Sequence, residues 1–126
     1  MNRTDIAWLL AVAGLSSALC LSAGRTLGAT FDEPFYLEKG LEHWRTGSYR
    51  TLMRAGTMPL PVDAQTLPLH LWERHRGAPV DFGDALPVVR AMNLPFWWLL
   101  LLSAFRLARR FGGPWAGRFA VAFIAC

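Results

Sequence analysis

The chain has 126 residues, 53% of them hydrophobic and 17% charged, with a formal net charge of +4 at pH 7. Its basic residues form no aromatic-interleaved stripe, so the excess charge is not a nucleic-acid footprint. Its two cysteines, Cys20 and Cys126, both lie in apolar runs, where a thiol behaves as a small hydrophobe, and supply neither a disulfide nor a metal site.

The first element is the run 6–24, IAWLLAVAGLSSALCLSAG, which carries no charge and is closed by Asp5 and Arg25. At ~1.5 Å rise per residue it reaches about 28 Å, close to the thickness of a hydrocarbon core. Ser16, Ser17 and Ser22 are tolerable there because a hydroxyl can bond back to a helix carbonyl. A cleaved signal peptide is the competing reading. The run is longer than a typical signal core, Asp5 weakens the basic end, and Ser22-Ala-Gly is only a passable cleavage site, so an uncleaved anchor is expected.

Beyond the helix exit comes Phe31-Asp32-Glu33-Pro34-Phe35-Tyr36-Leu37. Carboxylates just outside a bilayer serve no apolar core. They are solvated, cap a helix, or do chemistry at the membrane surface. Asp32 is a good N-cap, and Glu33-Pro34 suits a first turn. Leu37, Leu41 and Trp44 recur at i, i+4, i+7, and Gly47 offers a left-handed stop. An amphipathic helix lying along the membrane plane is expected.

Pro59-Leu-Pro61 predicts an extended, stiffened stretch. A short helix after Pro68 should end at Gly77, and Asp81-Phe-Gly-Asp84 reads as a turn. His70 and His75 are five apart and so diverge on a helix, and His43 has no evident partner, which predicts no metal site.

A second span is expected at about 89–107, with Pro95 in its first turn, where a missing N–H costs least, and with arginine stems snorkelling to complete its length. Gly112-Gly113 predicts a tight turn into a third apolar run, 114–126, which reaches Cys126 after too few residues to span. The third helix is therefore expected to be truncated, and the chain to be the N-terminal part of one polytopic domain.

Arg106, Arg109, Arg110 and Arg118 crowd the short second connection, and Arg3 lies at the N-terminus. The positive-inside rule assigns both to the cytoplasm and places the loop 25–88 outside. The expected class is all-α: polytopic membrane helices in a cell membrane, with an external loop containing amphipathic interfacial helices.

A first membrane helix followed by an external Asp-Glu, then Trp44-Arg-Thr-Gly47, Pro59-Leu-Pro61, and Arg90 with Asn93, resembles the start of GT-C glycosyltransferases. The likeness is to the protein O-mannosyltransferase and aminoarabinose-transferase group. It covers nearly the whole chain, although Pro-Leu-Pro departs from the usual adjacent-proline pair. The resemblance implies inverting transfer of a sugar from a polyprenyl-phosphate donor to an acceptor lipid, glycan or protein. Asp32 would be the general base, Glu33 would support the loop or acceptor, Arg90 would meet the leaving phosphate, and Tyr36 would line the groove. No cofactor is expected, although some members of the group are thought to use a divalent metal. The alternatives are a non-enzymatic multi-pass assembly protein, in which Asp32 is only a cap, and a flippase of lipid-linked sugars.

Overall fold

The computed structural model describes residues 1–125, and every regular element among them is an α-helix. In chain order these are α1 (Arg3–Thr26), α2 (Glu33–Thr46), α3 (Arg50–Arg54), α4 (Pro59–Arg76), α5 (Phe82–Ala91) and α6 (Leu94–Ala125). They form two compact units: Met1–Ala23 with the chain from Leu94 onward, and Gly24–Asn93.

Two stretches, Arg3–Thr26 and Phe82–Ala125, are long and apolar enough to cross a membrane. Only 17% and 22% of their most apolar windows are buried, where the core helix of a soluble domain would be mostly covered. Leu10, Leu15 and Leu19 of α1 and Leu99 and Leu100 of α6 are all about half exposed or more.

In the first unit α6 breaks at Gly113, whose φ of 78° only glycine adopts readily. Along one continuous helix Phe105 and Gly117 would lie about 18 Å apart. Instead a Cβ on Gly117 would stand 3.0 Å from the Phe105 carbonyl oxygen. The chain therefore doubles back at Gly112-Gly113, the tight turn expected there. Leu9 and Ala13 of α1, Leu101 and Phe105 before the break, and Val121 after it share one core.

Polar groups lock this packing. The Trp97 and Trp98 indoles donate to the Ser16 and Ser17 hydroxyl oxygens at 3.0 and 2.9 Å, and Ser16 bonds back to the Ala13 carbonyl. At the other end Asp5, fully buried, accepts from Arg109 and, at 2.8 Å, from Arg118. Two of the arginines that carry the topology signal are thus also a clamp on the start of α1. Pro95 sits in the first turn of α6, as expected. Cys20 is a free, exposed thiol, and Cys126 lies outside the described residues.

The second unit is a folded helical domain, with helices where helices were expected at α2 and after Pro68. The stripe of α2 is buried on α4 and α5: Leu41 joins Leu69, Ala85 and Val89, with Leu37 beside them, and the Trp44 indole donates to Thr66 Oγ1 at 3.1 Å. That face is covered by protein, so it does not lie on a bilayer as expected. Gly40 permits the crossing, because a Cβ there would meet Thr66 Oγ1 at 2.6 Å and Val62 Cγ1 at 2.8 Å. His43 does have a partner: its ring stacks on Tyr49 at 3.8 Å, and the Tyr49 hydroxyl donates to Asp63 at 3.1 Å, joining α2 to α4.

Three readings of the stretch 59–91 are corrected. Pro59-Leu60-Pro61 opens α4 instead of forming an extended strap, since the first turn of a helix has no N–H bonds to lose. α4 then runs through Pro68. Asp81 caps a further helix, α5, by accepting from the Gly83 amide at 2.9 Å, and α5 continues through Pro87. α4 and α2 end at Gly77 and Gly47 as expected, both left-handed. The expected span 89–107 falls within the membrane-length stretch Phe82–Ala125, which comprises α5 and α6, and Arg90 belongs to α5.

Candidate functional site

A cavity of about 230 Å³ opens in the second unit where the start of α2 meets α4 and α5. Its rim carries Thr30, Asp32, Glu33, Tyr36 and Arg90, with Gln65 and Asn93 opposite and Val89 and Leu37 supplying apolar wall. All four residues expected at a site from the sequence, Asp32, Glu33, Tyr36 and Arg90, come together here. The volume lies below the 300–1,000 Å³ usual for small-molecule pockets.

Arg90 dominates the geometry. Nε and Nη2 donate to the two Glu33 carboxylate oxygens, both at 2.8 Å, a bidentate fork. Nη1 donates to the carbonyls of Gly24 and Leu27, and Nη2 also to that of Gly28, each at 2.8 Å. These bonds use all five guanidinium donors. The three carbonyls are at and just beyond the end of α1, where helix geometry leaves such groups without partners. Arg90 therefore ties the exit of α1 to the first turn of α2, and in this arrangement it has no donor left for a phosphate.

Glu33 is held as firmly. The Arg90 hydrogen bonds, reinforced by the Thr30 amide donating at 2.7 Å, lower its carboxyl to about 2 from an ordinary 4.5, against the opposing effect of burial. The Thr30 bond folds the Glu33 side chain back over the turn that precedes α2.

Asp32 does occupy the N-cap position, and its carbonyl accepts the first helical bond, from Tyr36, at 3.1 Å. Its side chain, however, makes no capping bond. One carboxylate oxygen accepts from the Thr30 hydroxyl at 3.1 Å, and the residue is exposed at the cavity lip. Of the adjacent carboxylates, one is consumed by an arginine and the other faces outward.

Across the cavity the Gln65 amide donates to Asn93 Oδ1 at 2.7 Å. Gln65 escaped the sequence reading because Pro59 and Pro61 concealed the helix that presents it. Among the described residues no three His, Cys, Asp or Glu side chains gather as a metal-ligand cluster. With two carboxylates and one guanidinium, the rim is net negative by one charge. That balance suits a hydroxyl-bearing group rather than an anion.

The chain matches no family model, no curated protein and no solved structure.

Proposed function

We propose that the protein is a multi-pass membrane glycosyltransferase and that the Asp32 cavity holds its acceptor. The supporting observation is the division of labour between neighbours: Glu33 is locked to Arg90, while Asp32 stays exposed at the lip of a net-negative cavity. The resemblance to GT-C transferases supplies the reaction class.

In this reading an acceptor hydroxyl enters past Tyr36 and attacks the anomeric carbon of a polyprenyl-phosphate sugar. The new C–O bond forms as the bond to the lipid phosphate breaks with inversion. Asp32 takes the acceptor's proton, and the phosphate leaves with the electron pair. Such a base typically contributes ~10²–10⁴-fold. Arg90 is then a positioning residue that holds the Asp32–Glu33 turn, and positive charge for the phosphate comes from outside this cavity. In this reading the positive-inside rule makes the arginine-rich connection cytoplasmic and the stretch 25–88 external.

The test is transfer from a polyprenyl-phosphate sugar by the protein expressed from its complete reading frame, wild type against Asp32→Asn. Loss of transfer with intact membrane insertion supports the reading; wild-type turnover in the variant removes Asp32 from the chemistry. The saturated Arg90 donors favour one other reading, a non-enzymatic anchoring protein in which the turn is purely structural. In that case neither protein transfers sugar.

A further inference from the structure

α4 is apolar on two opposite faces, and only one of them is used. Val62, Thr66 and Leu69 are buried against the second unit's core. At ~100° per residue, Leu60, Ala64, Leu67 and Leu71 fall at i, i+4, i+7 and i+11, on the reverse side of the helix. The three leucines are 72%, 38% and 54% exposed, and Met58, at the helix N-cap, is 79% exposed. A stripe of this kind on a folded surface marks an interaction site.

We infer that this outer stripe of α4 is the face by which the second unit rests on the lipid bilayer, its leucines set among the acyl chains and its basic end at the headgroups. Three observations select lipid as the occupant. The unit shares its two ends with the stretches Arg3–Thr26 and Phe82–Ala125, each long and apolar enough to span a membrane, and such spans would hold it at a membrane surface. The stripe ends in Arg74 and His75, both exposed and on the same side of the helix, which suit lipid phosphates. The competing helix, α2, has its apolar stripe covered by α4 and α5. The inference rests on the membrane character of those two stretches and is independent of the transferase chemistry.

The test uses the whole chain with Cys20 and Cys126 replaced by alanine and a single cysteine at Leu67, Leu71, Arg76 or Leu15. Each variant carries an environment-sensitive fluorophore and is reconstituted in vesicles of equal phosphatidylcholine and phosphatidylglycerol. Arg76 is exposed and lies roughly opposite Leu67 by the same ~100° spacing, so it is the control on the same helix; Leu15, exposed on α1, reports insertion. All four are surface positions, so labelling leaves the fold intact. The expected result is blue-shifted emission at 67 and 71, with nitroxide-lipid quenching several-fold above that at 76 and iodide quenching several-fold below it. Equal iodide access at 67, 71 and 76 overturns the inference. So does shielding from iodide without lipid quenching, which would mean that protein, a second copy included, covers the stripe. If the Leu15 label also escapes the lipid nitroxide, the membrane tether is absent and the inference falls with it.

Discussion

Arg90 and Glu33 stand 57 positions apart and meet in a two-pronged ion pair, with both donor–acceptor distances 2.8 Å. With the carbonyls of Gly24, Leu27 and Gly28 on its remaining donors, Arg90 fixes the turn that presents Asp32. Arg90→Lys keeps the charge but offers three donors from a point, not five in a plane. It should lower the thermal midpoint by a few degrees, and Arg90→Ala should lower it further. Thermal unfolding of the purified chain in detergent checks both; an unchanged midpoint in Arg90→Ala would show that the clamp holds nothing.

The Glu33 carboxyl, lowered from 4.5 to about 2 by Arg90, gives the clamp a defined acid limit. The group binds its proton less readily folded than unfolded, so its stabilisation is complete above about pH 4.5 and is lost as pH falls through about 2. At pH 3.5 Glu33 should still be ionised, which infrared difference spectra of ¹³C-glutamate-labelled wild type and Glu33→Gln read as a carboxylate band that only the wild type shows. Arg90→Ala should return that titration to the ordinary glutamate range.

Asp32→Asn and Glu33→Gln should separate chemistry from scaffolding. In the proposed transferase Asp32→Asn lowers kcat by ~10²–10⁴-fold with an unchanged midpoint, the loss expected for a general base. Glu33→Gln lowers the midpoint first, since it leaves Arg90 with an unmatched charge. Equal midpoint losses in the two variants would argue against this division of roles.

Gly40→Ala places a methyl within 3 Å of Thr66 and Val62. Thr66 cannot easily turn away, because its hydroxyl donates to the Val62 carbonyl at 2.7 Å and accepts from Trp44. Overpacking of this kind costs about 1–3 kcal/mol. Denaturant titration followed by Trp fluorescence should register it as an earlier transition.

Asp5→Asn leaves Arg109 and Arg118 facing each other without their shared anion. A cysteine pair between α1 and the chain beyond Gly113 should cross-link efficiently in the parent and much less in Asp5→Asn. Equal cross-linking would make the clamp dispensable.

Local chemistry made several features readable from the residues alone. Uninterrupted apolar runs marked the membrane-length helices, Gly47 and Gly77 closed α2 and α4, and Gly112-Gly113 marked the reversal, because each depends on a residue's own conformational range or solvation. Prolines misled the reading in 59–91. A proline makes a helix boundary more frequent but does not impose one: at the start of α4 it costs no bond, and at Pro68 and Pro87 packing outweighs the single bond lost.

Sequence by itself determined which segments are long and apolar enough to cross a membrane and which carboxylates lie outside them, since both follow from the free energy of transferring individual side chains. Tertiary structure alone decided which carboxylate was spent. Asp32 and Glu33 are neighbours of like charge, and only the fold that brings Arg90 across from α5 makes one a strut and leaves the other exposed. It likewise turned the stripe of α2 inward and left that of α4 outside, because burial depends on which surfaces meet and not on the pattern that either helix carries.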